Sequence, residues 1–345
     1  PDENEDLYLA SIVFHKIRRK QLLKINKISK NGNVLWSKIY PEKTITIFSI
    51  WKQPDETLIM AGGVQDTAGN YPAEGSAFLM KTDATGNLLW EKSYKFGERG
   101  SIYEMFQTGD GYILKGSGYS DRPTGLEHQI FLYKTDLEGS VQWKKDFQMN
   151  EAGGGLLIIP LKNGNFYGVL ENPTRPTRLF TLTPSGDILQ EINIPDTGIT
   201  SVIEKEDGQL IFFQTERIKR VSGQALKITY VKALQADSLV TLKKLSNENP
   251  NYGFNLVSGD FYTVYGHKNK LTIEKLTPDF EVAAVAAVDL PEYTTTDGFL
   301  ITDQKSLVVV GILALPLEHV DPAAKSKFNY DTVIKKVSLD SLFKK

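Results

Sequence analysis

Four histidines, His15, His128, His267 and His319, are the residues in this 345-residue chain best suited to hold a metal or move a proton near neutral pH. They lie far apart, with no H-x-H or H-E-x-x-H spacing, so no local zinc motif is present. Cys is absent, which removes disulfides, thiolate–metal sites and a Cys nucleophile, and leaves the redox compartment open. The acidic turns "TGDGY" and "EDGQ" lack the alternating oxygen ligands of a calcium loop. "KGSGYS" (115–120) holds a G-x-G without the strand-to-helix setting of a nucleotide loop, and reads as a turn or bulge. "EAGGGLL" (151–157) reads as a connection between units. Neither a metal nor a cofactor is expected.

What remains for chemistry is a set of long connecting segments: 64–77, 119–129, 171–178 and 313–330. Connections of this length exceed ordinary hairpin loops and are often functional. They join the second and third strands of repeated units, so all of them open on one face. That face gathers Tyr71, Glu74, Arg122, His128, Arg175, Arg178 and His319 as candidate contacts to a ligand or partner. His267 falls in an equivalent segment.

The elements that must position these residues come from an internal repeat. "KISKNGNVLWSKIY" (27–40), "KTDATGNLLWEKSY" (81–94) and "KTDLEGSVQWKKDF" (134–147) share one pattern, and "TLTPSGDILQEINI" (181–194) is a fourth copy. Weaker copies follow around Asp237, Phe280 and Asp340. Anchored on Gly32, Gly86, Gly139, Gly186 and those three residues, the spacings are 54, 53, 47, 51, 43 and 60. Each copy reads as a closing β-hairpin: an apolar run, a turn in which Asp83 or Asp136 bonds back to the backbone and Gly supplies a positive φ, then a second run. A second hairpin precedes each, turning at "GDG", "NG" or "EDG". Four antiparallel strands per unit at this period predict an all-β fold, a β-propeller of seven four-stranded blades, with six or eight as alternatives. Nothing in the chain reads as a helix. Because the Asp, Gly and Trp recur at blade spacing, Gly32, Trp36, Asp83, Gly86, Trp90, Asp136, Gly139, Trp143 and Gly186 are assigned to scaffold rather than to a site.

The D-x-x-G-x-x-x-W spelling, seen at Asp83–Gly86–Trp90 and Asp136–Gly139–Trp143, resembles the blade motif of quinoprotein-like (PQQ-type repeat) propellers. That resemblance implies that each Trp docks on the following blade. The dehydrogenases of that family typically carry a vicinal Cys pair and an acidic metal site; neither is matched here. The Asp-box of sialidase propellers fails in register. The overall spelling is most similar to non-catalytic propeller lipoproteins of Bacteroidetes-type bacteria, which implies a lipid anchor upstream of residue 1 and a place in the cell envelope.

Composition agrees with a globular chain: 41% hydrophobic, 24% charged, net charge −2. Lys and Arg are spread rather than clustered, which argues against nucleic acid; "KIRRK" (16–20) is the densest basic run. No apolar run approaches about 18 residues, so no transmembrane segment is expected. Residues 1–6 read as an acidic tail without packing, and 7–345 as a single propeller domain. The expected function is a non-enzymatic, monomeric binding or scaffold propeller that takes a protein or glycan on one loop face. The alternative is a carbohydrate-active hydrolase or lyase with its site at the channel mouth, where two carboxylates roughly 5–10 Å apart would mark a glycosidase.

Overall fold

The computed structural model describes residues 6–15, 20–40, 44–65, 77–96, 98–122, 125–149, 155–172, 175–219, 225–245, 253–257, 260–267, 270–291, 294–301, 306–316 and 328–343. The chain falls into two compact units, Pro1–Asn193 and Ile194–Lys345. In the first unit, β1 (Leu7–His15), β2 (Lys20–Ile28) and β3 (Val34–Tyr40) form a three-stranded sheet. Three four-stranded sheets follow. They are β4 (Thr44–Lys52), β5 (Leu58–Gln65), β6 (Ala77–Thr82) and β7 (Leu88–Tyr94); then β8 (Glu98–Thr108), β9 (Gly111–Arg122), β10 (Gly125–Thr135) and β11 (Val141–Gln148); then β12 (Gly155–Pro160), β13 (Phe166–Asn172), β14 (Arg175–Leu182) and β15 (Ile188–Ile194). The second unit holds two more four-stranded sheets. Their strands are β16 (Ile199–Glu204), β17 (Leu210–Lys219), β18 (Ala225–Gln235) and β19 (Ser238–Leu245), then β20 (Gly253–Val257), β21 (Asp260–His267), β22 (Lys270–Leu276) and β23 (Val282–Asp289). A three-stranded sheet of β24 (Thr294–Ile301), β25 (Ser306–Pro316) and β26 (Phe328–Ser338) precedes a one-turn helix, α1 (Leu339–Leu342).

Every sheet is a meander of sequence-consecutive strands, and the four-stranded ones are the antiparallel blades of a β-propeller. The expectation of seven blades is corrected: the structure has six. Among the described residues five sheets carry four strands, and the first and last sheets in the chain carry three each. Counting repeat anchors counts closing turns, and an incomplete sheet still contributes one. The anchor at Asp340 is no closing hairpin at all. There β26 passes directly into α1, a helix absent from the sequence expectation, capped by the Ser338 hydroxyl accepting from Ser341 N–H at 3.4 Å.

The repeat's residues divide into turn, strut and joint. At the turn, the Asp83 carboxylate accepts from the backbone N–H of Thr85 and Asn87 at 2.9 and 2.8 Å, and from the Asn87 amide at 2.8 Å. These bonds hold Asp83 down at about 2. Asp136 accepts likewise from Glu138 and Ser140. Thr183, Thr277 and Ser29 fill the same place with a hydroxyl, accepting from the N–H of Asp187, Glu281 and Asn33. The strut is the Lys two residues earlier. Lys27, Lys81, Lys134 and Lys275 reach Asp6, Asp55, Asp110 and Asp260 at 3.3, 3.4, 2.8 and 2.9 Å, each carboxylate leading into the neighbouring strand. Asp6, read in the sequence as tail, is buried.

The joint couples consecutive sheets of the first unit. Trp36, Trp90 and Trp143 are half-buried, and each lies against the turn glycine of the following sheet, Gly86, Gly139 and Gly186. Tyr40 and Tyr94 donate their hydroxyls to the carbonyls of Gly86 and Gly139 at 2.6 and 2.7 Å. Where Phe147 stands in place of that Tyr, the Trp143 indole N–H donates instead, to Pro184 O at 2.8 Å. In the second unit, Lys243 pairs with Glu281, and Leu245 packs in one cluster with Phe280. Phe280 occupies the glycine's left-handed place at φ 63° and is held by Phe261 and Phe213, rings 4.9 and 6.3 Å away.

Two of the long connections are mostly strand. β9 and β10 pair without a break from Thr135↔Tyr112 to Gly125↔Arg122, so 119–129 is hairpin rather than loop. In 171–178, β13 reaches Asn172 and β14 starts at Arg175. His128 and His267 therefore sit in strands β10 and β21. The polar, Gly- and Pro-bearing spelling misleads because ladder pairing is made by the backbone, and tertiary context overrides strand propensity. "KGSGYS" is likewise mid-strand: a Cβ on Gly116 or Gly118 would meet Ser101 O or Phe96 O at 2.2 or 1.8 Å, so these glycines admit a close strand approach. Most of the other two connections, at 66–76 and 317–327, lies outside the described residues.

Candidate functional site

The geometry begins with a bulge. β8 slips register against β9 between Ile102 and Glu104, leaving Tyr103 unpaired and turned outward, 44% exposed. Beside it is a cavity of about 230 Å³ lined by Tyr103, Lys115, Ser117, His128, Ile130 and Leu156, together with Gly116 and Gly155. That is room for several waters, the scale of a single sugar ring. Three strands of one blade (β8, β9 and β10) and the first strand of the next, β12, contribute to it.

Lys115 bridges the two blades. Its ammonium pairs with the Glu104 carboxylate and donates to Leu156 O at 2.9 Å. The cation is thereby spent within the protein. His128 is half-buried, and desolvation pushes its pKa below the ordinary histidine value, so the imidazole is neutral near neutral pH. Its cross-strand partner is Tyr119, ring centroids 5.5 Å apart at 50°, and its carbonyl accepts from Met149 N–H at 3.0 Å. The chemical content of the lining is one phenol, a hydroxyl and a neutral imidazole over an apolar floor, with the Tyr119 ring against His128. Among the described residues no carboxylate lines the cavity, and no group of three or more His, Asp or Glu is placed to hold a metal.

Of the residues singled out in the sequence, His128 is in this site. Arg178 is not free: it forks onto Glu191 at 2.9 and 2.7 Å, tying β14 to β15 and holding that carboxylate below its usual range. Arg175 is exposed at the start of β14, and Arg122 ends β9. Tyr71, Glu74 and His319 lie outside the described residues. Tyr103, Lys115, Ser117 and Tyr119 were missed as site residues. The small residues alternating along "KGSGYS" were the available signal, since they thin the wall between two strands.

No helix among the described residues is long and apolar enough to cross a membrane. No protein-family model matches the chain, and no curated protein matches its sequence. Solved structures do. A polysaccharide lyase is similar with a TM-score of 0.63 at 12% identity, over 99% of this chain and 89% of that one. An acylaminoacyl peptidase from Pyrococcus horikoshii is similar with a TM-score of 0.56 at 9% identity, over 98% of this chain and 51% of that one. A quinone-bound aldose sugar dehydrogenase from Streptomyces coelicolor reaches only 0.39 at 11% identity, over 84% and 94%, and carries no argument. What the likenesses to the lyase and the peptidase show is the β-propeller fold.

Proposed function

We propose that this chain is a non-enzymatic, carbohydrate-binding β-propeller of the bacterial cell envelope. The observation that carries the proposal is the cavity at His128: aromatic and apolar surfaces with a few hydroxyl and imidazole groups, and no unspent charge among its described lining. Sugars present C–H faces that pack on aromatic rings and hydroxyls that pair with such groups. The envelope location is supported by the spelling of the repeat, which is similar to that of propeller lipoproteins.

A second reading, a lyase acting on acidic polysaccharide, is favoured by one observation, the neutral imidazole of His128 beside the Tyr119 phenol. Such a base can take the proton next to a uronate carboxylate while the phenol protonates the departing oxygen, so that the C–O bond breaks and a C=C bond forms. One solved neighbour of this fold is a polysaccharide lyase. The elimination also needs a cation on the carboxylate, and Lys115 is already paired with Glu104.

Calorimetric titration with neutral and acidic oligosaccharides, followed by ultraviolet absorbance for an unsaturated product, separates the two. Saturable binding that is lost in Tyr103→Ala and His128→Ala, without product, supports the binding role. Product from acidic sugars would replace that role with the lyase. No binding and no product would sink both.

A further inference from the structure

The bulge at Tyr103 has a counterpart one blade earlier. β4 slips against β5 between Ile47 and Ser49, which leaves Phe48 as the unpaired residue, 42% exposed. The two bulged rings meet edge to face, centroids 5.0 Å apart at 65°. A bulge turns a side chain out of the sheet's alternation, so two neighbouring first strands use the same device to show an aromatic ring to solvent. Edge-to-face contact leaves ring faces available for a third partner. Tyr103 also forms one wall of the His128 cavity. Phe48, Tyr103 and the cavity therefore make one unbroken strip across three consecutive blades, with a step between the rings comparable to one pyranose residue.

Resting on the carbohydrate-binding role above, we propose that this strip binds an uncharged glycan chain in consecutive subsites, one sugar in the His128 cavity and the next ones on Tyr103 and Phe48. The charge pattern selects the class. Glu104 neutralises Lys115, and the strip's other named groups are phenol, phenyl, hydroxyl and imidazole, so a polyanion gains no ion pair here. Extended polymers suit such a surface because each further sugar adds stacking area without a new loss of translational freedom.

The test is calorimetry with neutral gluco-, manno- and xylo-oligosaccharides of increasing length, with oligogalacturonates as the acidic control. His128 ring signals in NMR report cavity occupancy. In the wild type, affinity for the bound neutral series should rise with length and then level off at about three residues. Phe48→Ala should remove about five- to tenfold of that gain and weaken monosaccharides less. Phe48→Leu, which keeps the apolar volume and loses the ring, should do the same; Tyr103→Ala should weaken sugars of every length. If short sugars perturb His128 but length and Phe48 have no effect, the strip is refuted and the cavity role survives. Preference for the galacturonates overturns the uncharged class. If no sugar of any length binds the wild type, the carbohydrate role itself falls, and the strip with it.

Discussion

Replacing a turn glycine by alanine separates two costs that the repeat merges. Gly32, Gly86 and Gly186 all take left-handed backbone, with φ of 85°, 81° and 90°. Their surroundings differ. A Cβ on Gly32 meets nothing within 4 Å, on Gly86 it lies 3.2 Å from the Trp36 ring, and on Gly186 it lies 2.9 Å from that of Trp143. For Gly32→Ala the left-handed penalty of roughly 1–2 kcal/mol is partly offset by about 0.4–1 kcal/mol of lost unfolded-state entropy, leaving about 1 kcal/mol. Gly186→Ala carries that cost too, with about 1–3 kcal/mol of overpacking added, and the bond from Trp143 to Pro184 O is strained further. The expected difference is about 2 kcal/mol, with Gly86→Ala between. Urea unfolding at a shared slope reads it as a lower midpoint, by about 0.7–2 M at slopes of roughly 1–3 kcal/mol per molar. In a Trp143→Ala background the excess at Gly186 should vanish, a non-additivity of about 2 kcal/mol. Equal losses at Gly32 and Gly186 would refute the reasoning, since backbone strain would then be the whole effect.

Other consequences of the same repeat can be measured directly. Tyr94→Phe removes a buried donor to Gly139 O and should cost about 1–2 kcal/mol in thermal unfolding, more than Tyr40→Phe at its less buried equivalent. Asp110→Ala strands the Lys134 ammonium, whose side chain is 1% exposed, with Thr135 O as its remaining partner; because Asp110 is 67% exposed, about 1–3 kcal/mol is expected, and Lys134→Met should recover part of it. Asp83, folded at about 2 against roughly 3.9 unfolded, contributes stability that is present above pH ~4 and lost as pH falls through ~2; Asp83→Asn should flatten that acid limb in urea midpoints taken across it. His128, depressed by desolvation, should titrate below ~6.5 in NMR, and the stability tied to it should be present above that value and decline as pH falls.

The closing hairpin was legible because everything that makes it is local. Asp83, Gly86 and the strands around them lie within a few residues of one another, and their pattern needs no distant partner. The substitutes were not legible for the same reason: Thr183 and Ser29 serve as turn acceptors through one hydroxyl, and Phe280 holds a left-handed turn because Phe213 and Phe261 enclose it. Those enclosing residues come from other strands. The candidate site belongs to this second kind. Tyr103 is notable only once β8 slips against β9, and register is a property of the pair rather than of "SIYEM". His128 was picked out on its residue type, with the wrong setting, a loop where the chain has strand.

The joint between blades has two unlike halves. One blade offers an indole and a hydroxyl donor from its last strand, and the next receives them with a turn glycine and its carbonyl. Since the blade β4–β7 carries both halves, and β8–β11 carries the glycine and the indole, the contact is head-to-tail, and a blade is complementary to its own copy. Such a connection is indifferent to how many units are strung together, so duplication or loss of a unit leaves two compatible faces to meet. Individual joints can also differ: where Phe147 has no hydroxyl, the Trp143 indole donates to Pro184 O instead.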